Sequence, residues 1–141
     1  MGLDNFLSIY SKRIEFNNDM IEKIKQKDIC LCDYDGDSFR GKVYRAIVDT
    51  ICNESLYSIL DPSTLGKMAI QIDDLLNRHM SKTSLDVNLV TTDEIDVRDY
   101  FKDYDDTYED DSYKIMKKEL ESLRNLFQFC QENNVYLHPD Y

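Results

Sequence analysis

The densest grouping of reactive side chains in the chain lies between Asp28 and Tyr44, where two cysteines precede closely spaced aspartates and two cations. Cys30 and Cys32 are two residues apart, and on an extended strand such residues point to the same side, so one metal ion could contact both. Structural zinc sites use four ligands, usually thiolates or imidazoles. The pattern therefore predicts a structural zinc whose candidate ligands are Cys30, Cys32, Cys52 and Cys130, with His138 as an alternative. The other interpretation is that the cysteines near apolar helix faces only fill a core.

The same segment also supports phosphoryl chemistry. Residues 29–37, Ile-Cys-Leu-Cys-Asp-Tyr-Asp-Gly-Asp, resemble the first motif of the haloacid dehalogenase superfamily, an apolar strand that runs into Asp-x-Asp-Gly. That resemblance implies Asp33 as the nucleophile, Asp35 as the acid/base, and magnesium between them. The family pattern has Thr or Val where this chain has Asp37, and the chain lacks the alternation of strands and helices that the family fold requires. A small metal-dependent phosphohydrolase is therefore the second-ranked function.

Arg40 and Lys42 introduce a third function. Both cations lie near the predicted start of a helix, where backbone N–H groups attract phosphate. The segment lacks the glycines of a P-loop, and the two cations could instead neutralise the preceding aspartates. A sponge for a nucleotide signal, held at Arg40 and Lys42, stays open.

The overall charge favours a protein partner. The chain has 28 acids against 17 bases and a net charge of −11. Such a field repels nucleic acid and anionic membranes, because both present phosphates, and it suits a basic protein surface. No apolar run approaches the ~18 residues of a membrane span, and the N-terminus lacks the features of a signal peptide, so we expect the protein in the cytoplasm.

The most acidic part of the chain is residues 93–111, the acidic segment, which has ten acids against Arg98 and Lys102. Its tyrosines are spaced by four residues, which would align them on one face of a helix. Carboxylates around aromatic anchors suit a basic groove. The candidate partner-binding residues are Asp99, Tyr100, Asp103, Tyr104, Asp105, Asp106, Tyr108, Asp110 and Asp111. The alternative is a solvated loop whose tyrosines pack inward.

Hydrophobic spacing places these residues on a small α+β fold. Apolar residues make up 42% of the chain, which is typical of a globular protein. Helices are predicted near residues 39–52, 62–80 and 112–133, the first capped by Ser38 and the second started by Asp61-Pro62. Weaker patterns predict a short helix over 93–104 and strands within 2–16, 29–32, 85–90 and 135–137. Residues 1–141 are expected to form a single helix-rich domain with a small antiparallel or mixed sheet.

Three short pieces of the chain resemble small phage-encoded proteins. They are Met-Gly-Leu-Asp at 1–4, Ser-Phe-Arg-Gly-Lys-Val-Tyr at 38–44 with Glu-Ser-Leu-Tyr at 54–57, and Phe-Gln-Phe-Cys-Gln-Glu-Asn-Asn at 127–134. Small acidic proteins of this origin include anti-CRISPR inhibitors, which bind basic clefts of RNA-guided nucleases. This similarity of type implies a non-enzymatic inhibitor in the host cell that binds a type II CRISPR nuclease and blocks its nucleic-acid binding. No catalytic residue is expected, since neither histidine lies in a catalytic motif.

Overall fold

The computed structural model of the protein describes residues 3–9, 38–85, 94–102, 104 and 107–140. Within these ranges the strands, in chain order, are β1 (Asp4–Ser8), β2 (Ser38–Phe39), β3 (Glu94–Asp96), β4 (Lys114–Met116) and β5 (Tyr136–Asp140). Three α-helices account for most of the described residues: α1 (Gly41–Cys52), α2 (Pro62–Leu85) and α3 (Lys117–Glu132). Short 3-10 helices occupy Val97–Tyr100 and Asp110–Tyr113. The predicted helix-rich α+β class is confirmed.

The larger sheet joins the two ends of the chain. Its strand order is β2-β1-β5, and both pairings are antiparallel. Leu7 on β1 lies opposite Leu137 on β5, and Leu137 also exchanges two backbone hydrogen bonds of 3.0 Å with Leu60. The strands predicted near both chain ends are confirmed, while the strand predicted at 29–32 lies outside the described residues.

Helices α2 and α3 pack against each other in antiparallel fashion. Gly66 near the start of α2 lies beside Gln131 near the end of α3, and further along Arg124 donates a 2.7 Å hydrogen bond to Asp73. The buried residues of both helices recur every three or four positions, as expected for one apolar face each. They include Leu65, Met68, Ala69, Ile72, Leu75 and Leu76 on α2 and Leu120, Leu123, Leu126, Phe127, Phe129 and Cys130 on α3. None of the helices in the described ranges is long and apolar enough to cross a membrane.

The start of α2 matches its sequence signal. The Asp61 carboxylate accepts a 2.7 Å hydrogen bond from the backbone N–H of Thr64, and the Asp61 carbonyl accepts the N–H of Leu65 at 3.0 Å. The backbone N–H of Thr64, followed by the Thr64 side chain, holds the pKa of the Asp61 carboxyl below its usual range. The helix continues to Leu85, so the prediction that Leu85 lies in a strand is wrong.

The start of α1 differs from the prediction. Ser38 and Phe39 pair with β1 as the short strand β2, and Arg40 is the N-cap residue without a capping side-chain hydrogen bond. Strand pairing therefore displaces the predicted cap at Ser38. At the other end, Asn53 adopts the left-handed conformation with φ of 54°, as an asparagine at a helix end readily does.

A buried amide fixes how α1 meets the sheet. Asn5 on β1 is fully buried, and its Nδ2 donates a 2.8 Å hydrogen bond to the carbonyl of Leu56. Its side-chain oxygen lies so close to Gly41 that a Cβ at position 41 would overlap it. Glycine is therefore required where the first turn of α1 crosses β1.

The region from 93 to 116 departs most from the prediction. Strands β3 and β4 pair with Ile95 opposite Ile115, both buried, where a short helix over 93–104 and the beginning of the last helix had been predicted. Residues 114–116 are used in this pairing, so α3 begins at Lys117 instead of Ser112. Burial of β-branched side chains across the strand pair outweighs the local helical spacing.

Candidate partner-binding surface

One arginine holds together the described part of the acidic segment. The Nε and Nη2 atoms of Arg98 donate to the two carboxylate oxygens of Asp96 at 3.0 and 2.7 Å, and its Nη1 donates to Asp110 at 2.9 Å. Such bidentate, charge-assisted hydrogen bonds are among the stronger polar contacts in proteins. They raise the pKa of Arg98 and hold the pKa of Asp96 below its usual range. Arg98 thus joins the end of β3 to the 3-10 helix that precedes β4.

Two tyrosines of the segment, Tyr104 and Tyr108, converge on a residue just beyond it, Tyr113, which is only 1% exposed. The ring centroids of Tyr104 and Tyr108 lie 5.5 and 6.0 Å from that of Tyr113, both in edge-to-face geometry. On the same ring, the guanidinium carbon of Arg98 lies 4.8 Å from the centroid. Edge-to-face ring pairs and a cation over a ring face are both attractive arrangements. Tyr113 is therefore the buried residue against which the acidic segment packs.

The tyrosines do not share one helical face, so that prediction is wrong. The 3-10 helix ends at Tyr100, and Phe101 is extended with φ of −134° and ψ of 139°. Tyr100 instead turns towards α2, where its hydroxyl lies 2.7 Å from Nδ1 of His79. Arg78 donates a 3.0 Å hydrogen bond to the carbonyl of Tyr100, and burial raises the pKa of its hydroxyl. Tyr100 fastens the segment to the body of the protein.

The candidate residues differ in what they present to solvent. Asp99, Tyr104, Asp110 and Asp111 are exposed, with Tyr104 at 40%, while Tyr100 and Tyr108 are half-buried. Asp110 is paired with Arg98 and contributes less net charge than its exposure suggests. The remaining candidates, Asp103, Asp105 and Asp106, lie outside the described residues. Glu109, exposed beside Asp110, was not among the candidates and adds a further carboxylate.

Sequence reasoning also missed an aromatic contact on the neighbouring helix. The guanidinium carbon of Arg45 on α1 lies 4.8 Å from the ring centroid of Tyr57 and 5.1 Å from that of Tyr108. The hydroxyl of Tyr108 also reaches the carboxylate of Asp49, at a long 3.5 Å. These residues are widely separated in sequence, so only the folded structure could reveal the contact. It makes the outer face of α1 continuous with the acidic segment.

The cysteines that the structure describes are buried thiols. Cys52 and Cys130 are at most 5% exposed, and the Sγ of Cys52 lies 3.9 Å from the carbonyl of Met68. Burial raises the pKa of Cys52 to about 12 and also raises the pKa of Cys130, whereas a zinc ligand must be a thiolate. Cys30 and Cys32 lie outside the described residues. Among the residues that are described, no group of three or more His, Cys, Asp or Glu side chains is placed to hold a metal ion. The zinc site stays a prediction.

The N-terminus of α1, proposed from sequence as a phosphate site, is already engaged by the protein. The backbone N–H of Lys42 donates to the carbonyl of Leu3 at 3.2 Å, and that of Val43 donates to the carbonyl of Arg40 at 3.1 Å. These amides would otherwise be the donors for a phosphate. The side chains of Arg40 and Lys42 are exposed. Asp33 and Asp35, the candidate phosphohydrolase residues, lie outside the described part of the chain, so that alternative stays a prediction.

No protein-family model, curated protein or solved structure matches the chain. Its function has to be inferred from the charge and geometry of its own surface.

Proposed function

We propose that this protein is a non-enzymatic phage inhibitor that binds a basic, nucleic-acid-handling host protein and blocks its nucleic-acid binding. The partner is a type II CRISPR RNA-guided nuclease. The observation that carries the proposal is an acidic surface on a packed frame: Asp99, Glu109 and Asp111 are exposed around Tyr104, while Arg98 and Tyr113 hold the backbone beneath them.

The electrostatics support a basic partner. A surface that binds nucleic acid is positive, and carboxylates can occupy the positions of phosphates on such a surface. Opposite fields accelerate encounter, and salt weakens them because the Debye length is only ~8 Å at physiological ionic strength. Arg98 neutralises part of the charge of Asp96 and Asp110, so within the described part of the segment the steering charge lies mainly on the exposed carboxylates outside its ion pairs, which are Glu94 on β3 and the three around Tyr104, namely Asp99, Glu109 and Asp111.

The packing supports a specific contact as well as a steered one. Tyr104 is partly exposed, yet its ring rests against Tyr113, so its position is fixed before binding. A rigid aromatic side chain loses little conformational entropy in an interface and supplies a large contact area. Tyr104 is therefore the aromatic anchor, and the carboxylates around it direct the approach.

The resemblance of three chain segments to phage-encoded proteins supports the choice of host target. An inhibitor that occupies the nucleic-acid cleft needs no catalytic group, since it acts by competition.

The test uses purified type II CRISPR nucleases and two triple variants that both change the net charge from −11 to −8. The surface variant combines Asp99→Asn, Glu109→Gln and Asp111→Asn. The matched control combines exchanges on the helices, Asp74→Asn, Glu121→Gln and Glu132→Gln. Association rates are measured at several salt concentrations, together with inhibition of DNA cleavage.

The surface variant should associate about tenfold more slowly than wild type and show a flatter salt dependence, since steering acts through local charge. The control should stay within about threefold of wild type, because screening limits the effect of distant charges. Tyr104→Ala should chiefly speed dissociation, while Tyr104→Phe should bind like wild type. The proposal is wrong if no nuclease binds the wild type, or if both triple variants associate equally fast.

A further inference from the structure

The guanidinium of Arg45 lies outside the core, on the solvent side of Tyr108, a half-buried ring that packs against the core. Arg45 is exposed on α1, and its guanidinium lies over two rings that come from distant parts of the chain, Tyr57 before α2 and Tyr108 in the acidic segment. Arginine stacks on aromatic faces through its planar face, and stacking leaves the N–H groups at its edge available for hydrogen bonds.

Those N–H groups have no acceptor in the described part of the chain. Asp49 lies four residues after Arg45 on the same helix, the spacing at which an ion pair usually forms. Its carboxylate is instead reached by the hydroxyl of Tyr108, and no ion pair with Arg45 is present among the described residues. The guanidinium of Arg45 therefore offers its N–H donors from a side chain that two aromatic rings already restrain.

The position of this guanidinium links it to the acidic segment. The ring of Tyr108 contacts both Arg45 and the ring of Tyr113, and Tyr113 in turn contacts the ring of Tyr104. Two packed tyrosines therefore connect Arg45 to the anchor Tyr104. Any partner that covers Tyr104 and its neighbouring carboxylates approaches Arg45 as well. Once such a partner covers Arg45 and removes its water, an anionic acceptor on the partner is favoured, because a desolvated and unpaired charge is costly.

We propose that Arg45 belongs to the partner-binding surface and forms a bidentate ion pair with a carboxylate of the partner, an inference that rests on the proposed function. The planar fork of arginine matches the two oxygens of a carboxylate. Nucleases that cleave with metal ions hold those ions with acidic side chains inside an otherwise basic cleft, so such a partner offers the required carboxylate. The pair fixes the orientation of the inhibitor, which uniform attraction between two opposite fields does not do.

The sign of the charge effect separates this inference from attraction between opposite fields alone. Arg45→Gln makes the protein more negative, changing the net charge from −11 to −12. If only the acidic surface mattered, the variant would bind a basic partner as well as wild type or more tightly. If Arg45 pairs with a carboxylate, the variant binds more weakly in spite of its more favourable net charge.

The experiment measures association and dissociation rates of wild type, Arg45→Gln, Arg45→Lys and the charge-matched control Arg40→Gln. The binding partner is the nuclease that binds wild type most tightly, first prepared free of guide RNA. Arg45→Gln should dissociate at least tenfold faster than wild type, Arg45→Lys should recover only part of the loss, and Arg40→Gln should dissociate like wild type. Circular dichroism and thermal unfolding establish that each variant is folded.

Each other result has a definite meaning. If Arg45→Gln and Arg40→Gln dissociate equally fast while wild type binds, Arg45 is outside the interface and only this inference fails. If the effect of Arg45→Gln requires guide RNA on the nuclease, the acceptor is a phosphate and the carboxylate pairing is refuted. If wild type binds none of the nucleases, the proposed function fails together with the inference.

Discussion

Tyr113 should carry more of the stability of the acidic segment than any acidic residue within it. Its side chain is almost fully buried and is contacted by two tyrosine edges and by Arg98. Truncation of a buried aromatic ring to alanine costs about 3–5 kcal/mol. We therefore expect Tyr113→Ala to lower the free energy of unfolding by about 4 kcal/mol, and the midpoint of thermal unfolding by about 12 °C for a chain of this size.

A double-mutant cycle tests whether the ring contact itself contributes. Tyr113→Leu keeps apolar volume but removes the aromatic face, and should cost about 2 kcal/mol. Combined with Tyr104→Ala, it should show a coupling free energy of about 1 kcal/mol, the size of an edge-to-face pair. The control cycle replaces Tyr113→Leu with Phe127→Leu, a fully buried position on α3, and should be additive within about 0.5 kcal/mol.

Urea unfolding monitored by circular dichroism supplies these free energies. A coupling free energy equal to that of the control cycle would refute the argument that Tyr113 fixes Tyr104. If Tyr113→Ala lowers the free energy of unfolding by less than about 1.5 kcal/mol, the placement of Tyr113 in the core is refuted, because the cavity left by a buried aromatic ring costs more.

Three further predictions concern the body of the protein. Gly41→Ala should lower the free energy of unfolding by about 2 kcal/mol, because the new Cβ would displace the buried, hydrogen-bonded amide of Asn5. Gly66→Ala should be neutral or raise the free energy of unfolding by up to about 1 kcal/mol, because only the exposed side chain of Gln131 must move. Urea denaturation measures both free energies. Asp61→Ala should cost about 1 kcal/mol at pH 7. That difference should shrink below about pH 4, because a carboxylate whose pKa is lowered stabilises the native state only while ionised; thermal unfolding against pH measures it. Metal analysis of wild-type protein purified without added zinc should find about one equivalent of zinc, and the double variant Cys30→Ser/Cys32→Ser should lose it. Less than about 0.1 equivalent in the wild type would refute the zinc site.

The parts of the fold that depend on short-range signals follow from the sequence. The Asp61-Pro62 start of α2, its apolar stripe, and the asparagines that end α1 and α3 each act within a few residues of one another. The antiparallel strand near each end of the chain also follows from its composition. In all these places the local preference and the final packing agree.

The acidity of the candidate surface could be predicted from the sequence, but its shape could not. Its excess of acid is a matter of composition, whereas its shape depends on contacts between residues that are far apart in sequence or lie on different elements. The spacing of the tyrosines indicated a helical face, but the tyrosines lie in the connection between the paired strands β3 and β4, where a 3-10 helix ends at Tyr100 and Phe101 is extended. Tyr113 and Arg45 gave no sequence signal, because the role of each comes from rings supplied by other segments.

The pairing of β1 with β5 affects the order in which the protein can form during its synthesis. β1 is the central strand of its sheet, yet it begins at Asp4 and its main partner ends at Asp140, so more than a hundred residues separate their paired ends. Translation at about 5–20 residues per second leaves β1 without that partner for roughly 7–30 s. Until then, among the described strands, β1 has the two-residue β2 as its neighbour, and Leu3 and Leu7 lack part of their core. The pairing of β1 with β5 therefore forms only after α1, α2 and α3 have been synthesised.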